Sequence, residues 1–194
     1  GYQEEMDFDD MPIPFACVSE DISKGEEKVF HNGVLAQAMR ASMAIPGVFT
    51  PVRLDSMVLV DGGVVNNYPV NVAREMGADI IIGVDVQSKL KPASELNGAG
   101  SILGQLIDLM GQDMYLKNLK ETNTHIKVNV DGYSAASFTS NAIDTLIIRG
   151  EEAARNKWES LQQLKKEIGI TDDYKPERID KYEPTDWIMV RNIN

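Results

Sequence analysis

Apolar residues in this chain gather into short runs separated by polar, glycine-marked turns. The run Met57-Val58-Leu59-Val60, followed by Asp61-Gly62-Gly63, predicts a buried strand that hands a carboxylate to a glycine turn. Asp79-Ile80-Ile81-Ile82-Gly83-Val84-Asp85-Val86 is more strongly apolar and predicts a central parallel strand covered on both faces. Between the two, residues 70–76 read as a helix that ends at Gly77, with Asn67 as its N-cap and Pro69 in its first turn. Strand, helix and strand within about 30 residues predict one right-handed βαβ unit.

Upstream, residues 12–19 predict a strand buried on both faces, Ser23-Lys24-Gly25 a turn, and Lys28-Val29-Phe30-His31 a return strand. Residues 33–42 fit a helix with Leu35, Ala38, Met39 and Ser42 on one face, stopped by Pro46-Gly47. Residues 53–56 form the turn before the Asp61 strand. Downstream, residues 87–100 are polar and predict a surface loop. A single long helix is expected over 101–121. Its stripe of Ile102, Leu106, Leu109, Met110 and Met114, widened by Leu103, Ile107 and Leu119, is expected to pack in the core. The alternation Thr124-His125-Ile126-Lys127-Val128-Asn129-Val130 predicts a half-exposed edge strand with His125 on the polar side. Phe138 is expected to plug into the core. A helix from Ser140 carries Ile143, Ile147, Ala154, Trp158, Leu161 and Ile168, with a kink or break at Gly150. It ends at Gly169 behind Lys165 and Lys166, cations that favour a helix C-terminus.

Composition narrows the function classes. With 194 residues, 43% of them hydrophobic and 25% charged, one globular domain over 1–170 is expected, and 171–194 read as a linker and the start of a following module. A net charge of −11 argues against nucleic acid as a partner. The single cysteine, Cys17, lies in an apolar strand context, so neither a disulfide within the chain nor a redox or metal role is expected. His31 and His125 are the two histidines, and without an acidic partner at ligand spacing neither predicts zinc or a Ser-His-Asp triad. No apolar run reaches the ~18 residues of a membrane-spanning helix. Gly98-Ala99-Gly100-Ser101-Ile102-Leu103-Gly104 has its third glycine one place late for a dinucleotide loop.

The candidate chemistry is carried by Asp61. Most Asp-Gly pairs only start a turn, but the flanks here are specific. Arg40-Ala41-Ser42-Met43-Ala44-Ile45-Pro46-Gly47-Val48-Phe49 precedes the Asp61 strand, Leu59-Val60-Asp61-Gly62-Gly63-Val64-Val65-Asn66-Asn67-Tyr68-Pro69-Val70 contains it, and the 77–86 strand follows. In this order the three stretches resemble the C-terminal half of the patatin-like phospholipases, the group that includes bacterial patatins and neuropathy-target-esterase-like hydrolases. The resemblance covers roughly residues 10 to 155.

The resemblance implies a three-layer α/β fold, a mainly parallel sheet between helices, of which this chain would hold the C-terminal portion. It implies a lipid acyl hydrolase with a Ser–Asp dyad, Asp61 being the base and Gly62 and Gly63 the motif support. No metal or organic cofactor belongs to that chemistry. The substrate would be a lipid or another carboxylic ester, with peripheral membrane contact compatible. The family's nucleophile lies in a G-x-S-x-G elbow, which none of the 194 residues forms; Gly100-Ser101-Ile102-Leu103-Gly104 has its Ser one place early. Ser42, at a predicted helix end, reads as structural. The chain is therefore expected to carry only the Asp half of the site and to be inactive alone. The alternative is a non-catalytic patatin-fold module serving binding or assembly in a larger envelope protein. The tail is compatible with patatins of bacterial envelopes that continue into a periplasmic module and an outer-membrane barrel. Apolar strands whose partners the chain lacks also predict a homo-oligomer, through a strand edge or the 101–121 helix.

Overall fold

The computed structural model describes residues 5–135 and 137–171. The linker expected beyond Thr171 and the strand expected over 187–193 lie outside the described residues. The described chain divides into two compact units, one ending at Asp61 and the other beginning at Gly62.

In the first unit β1 (Met6–Asp7) is followed by β2 (Cys17–Asp21), β3 (Glu26–Phe30), β4 (Asn32–Gly33), α1 (Leu35–Ser42), β5 (Val52–Leu54) and β6 (Met57–Asp61). The main sheet has the order β3-β2-β6-β5, and every pairing in it is antiparallel. The parallel setting expected for the Asp61 strand is thus corrected. For β2–β3 and β5–β6 the turns explain it: Ser23–Gly25 and Asp55-Ser56 are too short for anything but hairpins, since a parallel crossover needs about a dozen residues or more. Asp55 takes the left-handed backbone of such a turn, with φ 52°. The first strand also starts later than expected, at Cys17, because Pro12 and Pro14 remove ladder donors.

α1 covers one face of this sheet. Ala38 and Ala41 are fully buried against Phe8, Phe30 and Leu59, while Leu35, Cys17 and Met57 pack around them. The buried face therefore runs through Leu35, Ala38 and Ala41, and Met39, expected on it, is half exposed. Two alanines let the helix lie close to the strands without crowding.

In the second unit come α2 (Val70–Glu75), β7 (Ile82–Asp85), α3 (Ala99–Met110), α4 (Gln112–Lys120), β8 (Thr124–Lys127), α5 (Ser140–Arg155) and α6 (Trp158–Glu167). β7 and β8 pair in parallel, Ile82 opposite Thr124 and Asp85 opposite Lys127. The parallel crossover is therefore β7–α3–α4–β8; β6 and β7 belong to different sheets, so the predicted βαβ unit is corrected. β7 is shorter than expected and covered on one face only, with Ile82, Val84 and Val86 exposed.

Other expectations change as well. The long helix is two helices, divided at Gly111, where an added Cβ would lie 3.4 Å from the Gly63 carbonyl oxygen. The α3 residues Ile102, Leu106, Leu109 and Met110 face outward among the described residues instead of into a core. The last helical stretch breaks at Asn156-Lys157 and runs unbroken through Gly150. Phe138 is 70% exposed. At α2 the N-cap is Pro69, and Asn67 is exposed.

The second unit is held by polar side chains as much as by apolar ones. Tyr68, Val70 and Ile81 are buried beside Tyr115 and Leu119. Gly83 is required there, because a Cβ would meet the Tyr68 hydroxyl at 1.7 Å. Asn118 of α4 is almost fully buried, and its amide donates to Tyr68 O at 2.8 Å, Asn71 Oδ1 at 2.9 Å and Asn66 Oδ1 at 3.1 Å. Replacing it by alanine removes these buried donor contacts, while Asn71 Oδ1 keeps the Asn66 amide and Tyr68 O keeps the Val70 N–H. Asn118→Ala is expected to cost about 1–3 kcal/mol; urea unfolding that shows no loss of stability would contradict the role assigned to this amide.

Candidate active site

Asp61 ends β6, the strand that lies between β2 and β5. Its side chain is half-buried. Its N–H donates to the Ala44 carbonyl at 3.0 Å, so the backbone that carries the carboxylate is tied to the segment leaving α1. Ser19 of β2 stands directly opposite it in the ladder. Gly62 and Gly63 then enter a 3-10 turn, Gly62–Val64. They are not among the glycines with positive φ, so the turn after Asp61 does not use the left-handed backbone that two glycines suggest.

Odd-numbered residues of β2 share the face of Asp61. Cys17 is one of them. Burial pushes this thiol up to about 11, and the Ser42 contact only partly opposes that. It is protonated at neutral pH and unsuited to nucleophilic work. Even-numbered residues of β2 point the other way. Glu20 is buried there, opposite Glu27, and one of its carboxylate oxygens has no partner among the described residues. Burial first, then Asp21, Glu27 and Glu26, raises its carboxyl above the ordinary range. Asp21 is the opposite case. Its carboxylate accepts from the N–H groups of Val58 at 3.0 Å and Ser23 at 3.1 Å and from the Ser23 hydroxyl at 2.8 Å, with the Val58 bond the main reason it is held low.

The second unit holds a polar cluster that the sequence reading missed. The Asp85 side chain is fully buried, and it accepts from Lys127 Nζ at 2.8 Å, Tyr115 OH at 2.8 Å and the Gln87 N–H at 2.9 Å. His125 Nε2 lies 3.1 Å from its second oxygen, so this histidine has the acidic partner that sequence spacing did not reveal. Burial alone would raise the Asp85 carboxyl, but Lys127, Gln87, Tyr115 and His125 together leave it below the ordinary aspartate value. Tyr115 is pushed up to about 12, first by burial and then by Asp85. The sequence did carry a signal: a carboxylate inside an apolar strand must find a partner, and His125 and Lys127 share one face of the neighbouring strand. All four partners hold the carboxylate by hydrogen bonds or ionic contact. The cluster ties α4 to the β7–β8 pair.

A cavity of about 400 Å³ is walled by Val84, Val86, Val128, Val130 and Leu146. Among the described residues no group of three or more His, Cys, Asp or Glu side chains could hold a metal ion. Among them, too, no helix is long and apolar enough to cross a membrane.

Residues 4–74 match the family described as patatin-like phospholipase. The chain is 35% identical over 88 residues to patatin-like phospholipase domain-containing protein 7 of Rattus norvegicus, which is 44% of this chain and 6% of that protein. It is 41% identical over 87 residues to patatin-like phospholipase domain-containing protein ZK370.4 of Caenorhabditis elegans, again 44% of this chain and 6% of that protein. With the NTE family protein Rv1063c of Mycobacterium tuberculosis the identity is 37% over 86 residues, 44% of this chain and 24% of that protein. The chain thus spans a quarter or less of these relatives.

Proposed function

We propose, from the match of residues 4–74 to the patatin-like phospholipase family, that this chain supplies the general base of a serine lipid acyl hydrolase, and that Asp61 is that base. The observation that carries the reading is the setting of Asp61. It is a half-buried carboxylate at the end of an inner strand, its backbone fixed to Ala44, on the motif Asp61-Gly62-Gly63. A Ser hydroxyl is a weak nucleophile at neutral pH until a base within hydrogen-bond reach takes its proton. Asp61 takes that proton as the Ser oxygen attacks the ester carbonyl, then returns it to the leaving alcohol. Gly62 and Gly63 leave the backbone beside Asp61 free of side chains, which gives a partner segment room to approach.

None of the 194 residues forms a G-x-S-x-G elbow, so this reading takes the nucleophile from a segment not among them. Oxyanion donors and an activated Ser supply most of acyl-transfer catalysis. The 194-residue chain by itself is therefore expected to release no nitrophenol from a nitrophenyl ester above the buffer rate, whereas the full natural protein does. Turnover by the short chain that disappears in Asp61→Ala would mean that a nucleophile within it had been overlooked, with Ser42 examined first.

A further inference from the structure

One hydroxyl in the first unit has no structural reason to be where it is. Ser19 has no exposed surface, and its Oγ has no hydrogen-bond partner among the described residues. A buried hydroxyl left unpaired is destabilising, and alanine would occupy the same space without that cost.

The ladder identifies the group it can reach. Ile22 N–H donates to Val58 O at 3.0 Å, which marks that pair as a hydrogen-bonded one. Antiparallel pairs alternate along the strands, so Glu20 opposite Val60 is hydrogen-bonded and Ser19 opposite Asp61 is not. The Asp61 N–H agrees with this, since it donates to Ala44 and not across to β2. In a non-hydrogen-bonded pair the Cα atoms come within about 4.5 Å and the side chains stand closest, on the same face. The Ser19 hydroxyl and the Asp61 carboxylate are therefore within reach of each other by side-chain rotation alone.

We propose that Ser19 is the positioning residue of Asp61: its buried hydroxyl donates to one carboxylate oxygen and leaves the other to receive the nucleophile's proton. The inference rests on the reading of Asp61 as the base. Ser19 touches neither substrate nor the reacting atoms. It acts by selecting the carboxylate rotamer, and the hydrogen bond favours the ionised form that a base must start from.

The test is the titration of the Asp61 carboxyl carbon, followed by NMR in the 194-residue chain and assigned by its loss in Asp61→Asn. Ser19→Ala is expected to move the Asp61 midpoint upward by roughly half to one pH unit, the effect of removing one donor from a carboxylate. Ser19→Thr, which keeps the hydroxyl on a strand-favouring side chain, is expected to restore it. An Asp61 midpoint unmoved in Ser19→Ala, together with a raised Tm, would overturn the proposal, because that is how an orphaned hydroxyl behaves. This readout needs no turnover. In the full natural protein the acidic limb of the kcat/KM profile is expected to follow the same shift, whereas a purely structural Ser19 would lower Tm and leave the limb in place. Full activity of Asp61→Asn would remove the catalytic reading and leave the NMR result on the Ser19 hydrogen bond to stand or fall by itself.

Discussion

Asp61→Asn in the full natural protein is expected to lower kcat for ester hydrolysis by about 10²–10⁴-fold with little change in KM, the loss typical of removing a general base. Asparagine keeps the size of the side chain and one acceptor oxygen, so the sheet and the Ala44 contact are retained. What it cannot do is take up a proton. The substrate is bound as before, and only the step that needs a base fails. Release of free fatty acid from phospholipid vesicles, measured beside a nitrophenyl ester, reads both the lipid and the simple-ester reaction. Activity within about tenfold of wild type on both substrates would remove Asp61 from the dyad. Because the substitution is isosteric, an unchanged Tm in the variant separates loss of chemistry from loss of fold.

The second large effect belongs to the fully buried Asp85 carboxylate. Lys127→Met removes its ammonium partner at 2.8 Å and keeps a chain of similar length on β8. A buried charge deprived of its counter-charge typically costs about 3–5 kcal/mol. Here Tyr115, Gln87 and His125 still serve the carboxylate, so about 2–3 kcal/mol is expected at pH 7. The sign of the pH dependence follows from Asp85 being held below the ordinary 3.8 of an aspartate. A depressed carboxyl binds protons more weakly folded than unfolded. Its contribution is fully present above pH 3.8 and is lost as pH falls through the lower folded value. The difference between wild type and Lys127→Met should therefore be widest near neutrality and narrow below pH 3.8. Urea unfolding at a series of pH values checks it, and a constant difference down to the acid end would show that the ammonium stabilises by packing alone.

The amino-acid order by itself determined the local elements and the candidate residue. An unbroken apolar run before a glycine turn marked β6 and its delivery of Asp61, and helical spacing marked a helix over 33–42 stopped before Pro46-Gly47, because these depend on a few neighbours in the chain. The patatin-like match over 4–74 rests on the same kind of ordered local motif. Direction and partnership were decided in three dimensions. An apolar run is equally apolar beside a parallel or an antiparallel neighbour, so Val58 to Val60 did not reveal that β2 and β5 flank β6 in antiparallel ladders. His125 looked solitary because Asp85 is 40 positions away in sequence and meets it only through the β7–β8 register. The division of the long helix at Gly111 reflects the close approach of the Gly63 backbone, a contact between segments that no periodicity records. Ser19 is the sharpest case. Its sequence context is an ordinary strand, and only the ladder that sets it opposite Asp61, with every route to water closed, turns its hydroxyl into a group that demands a partner.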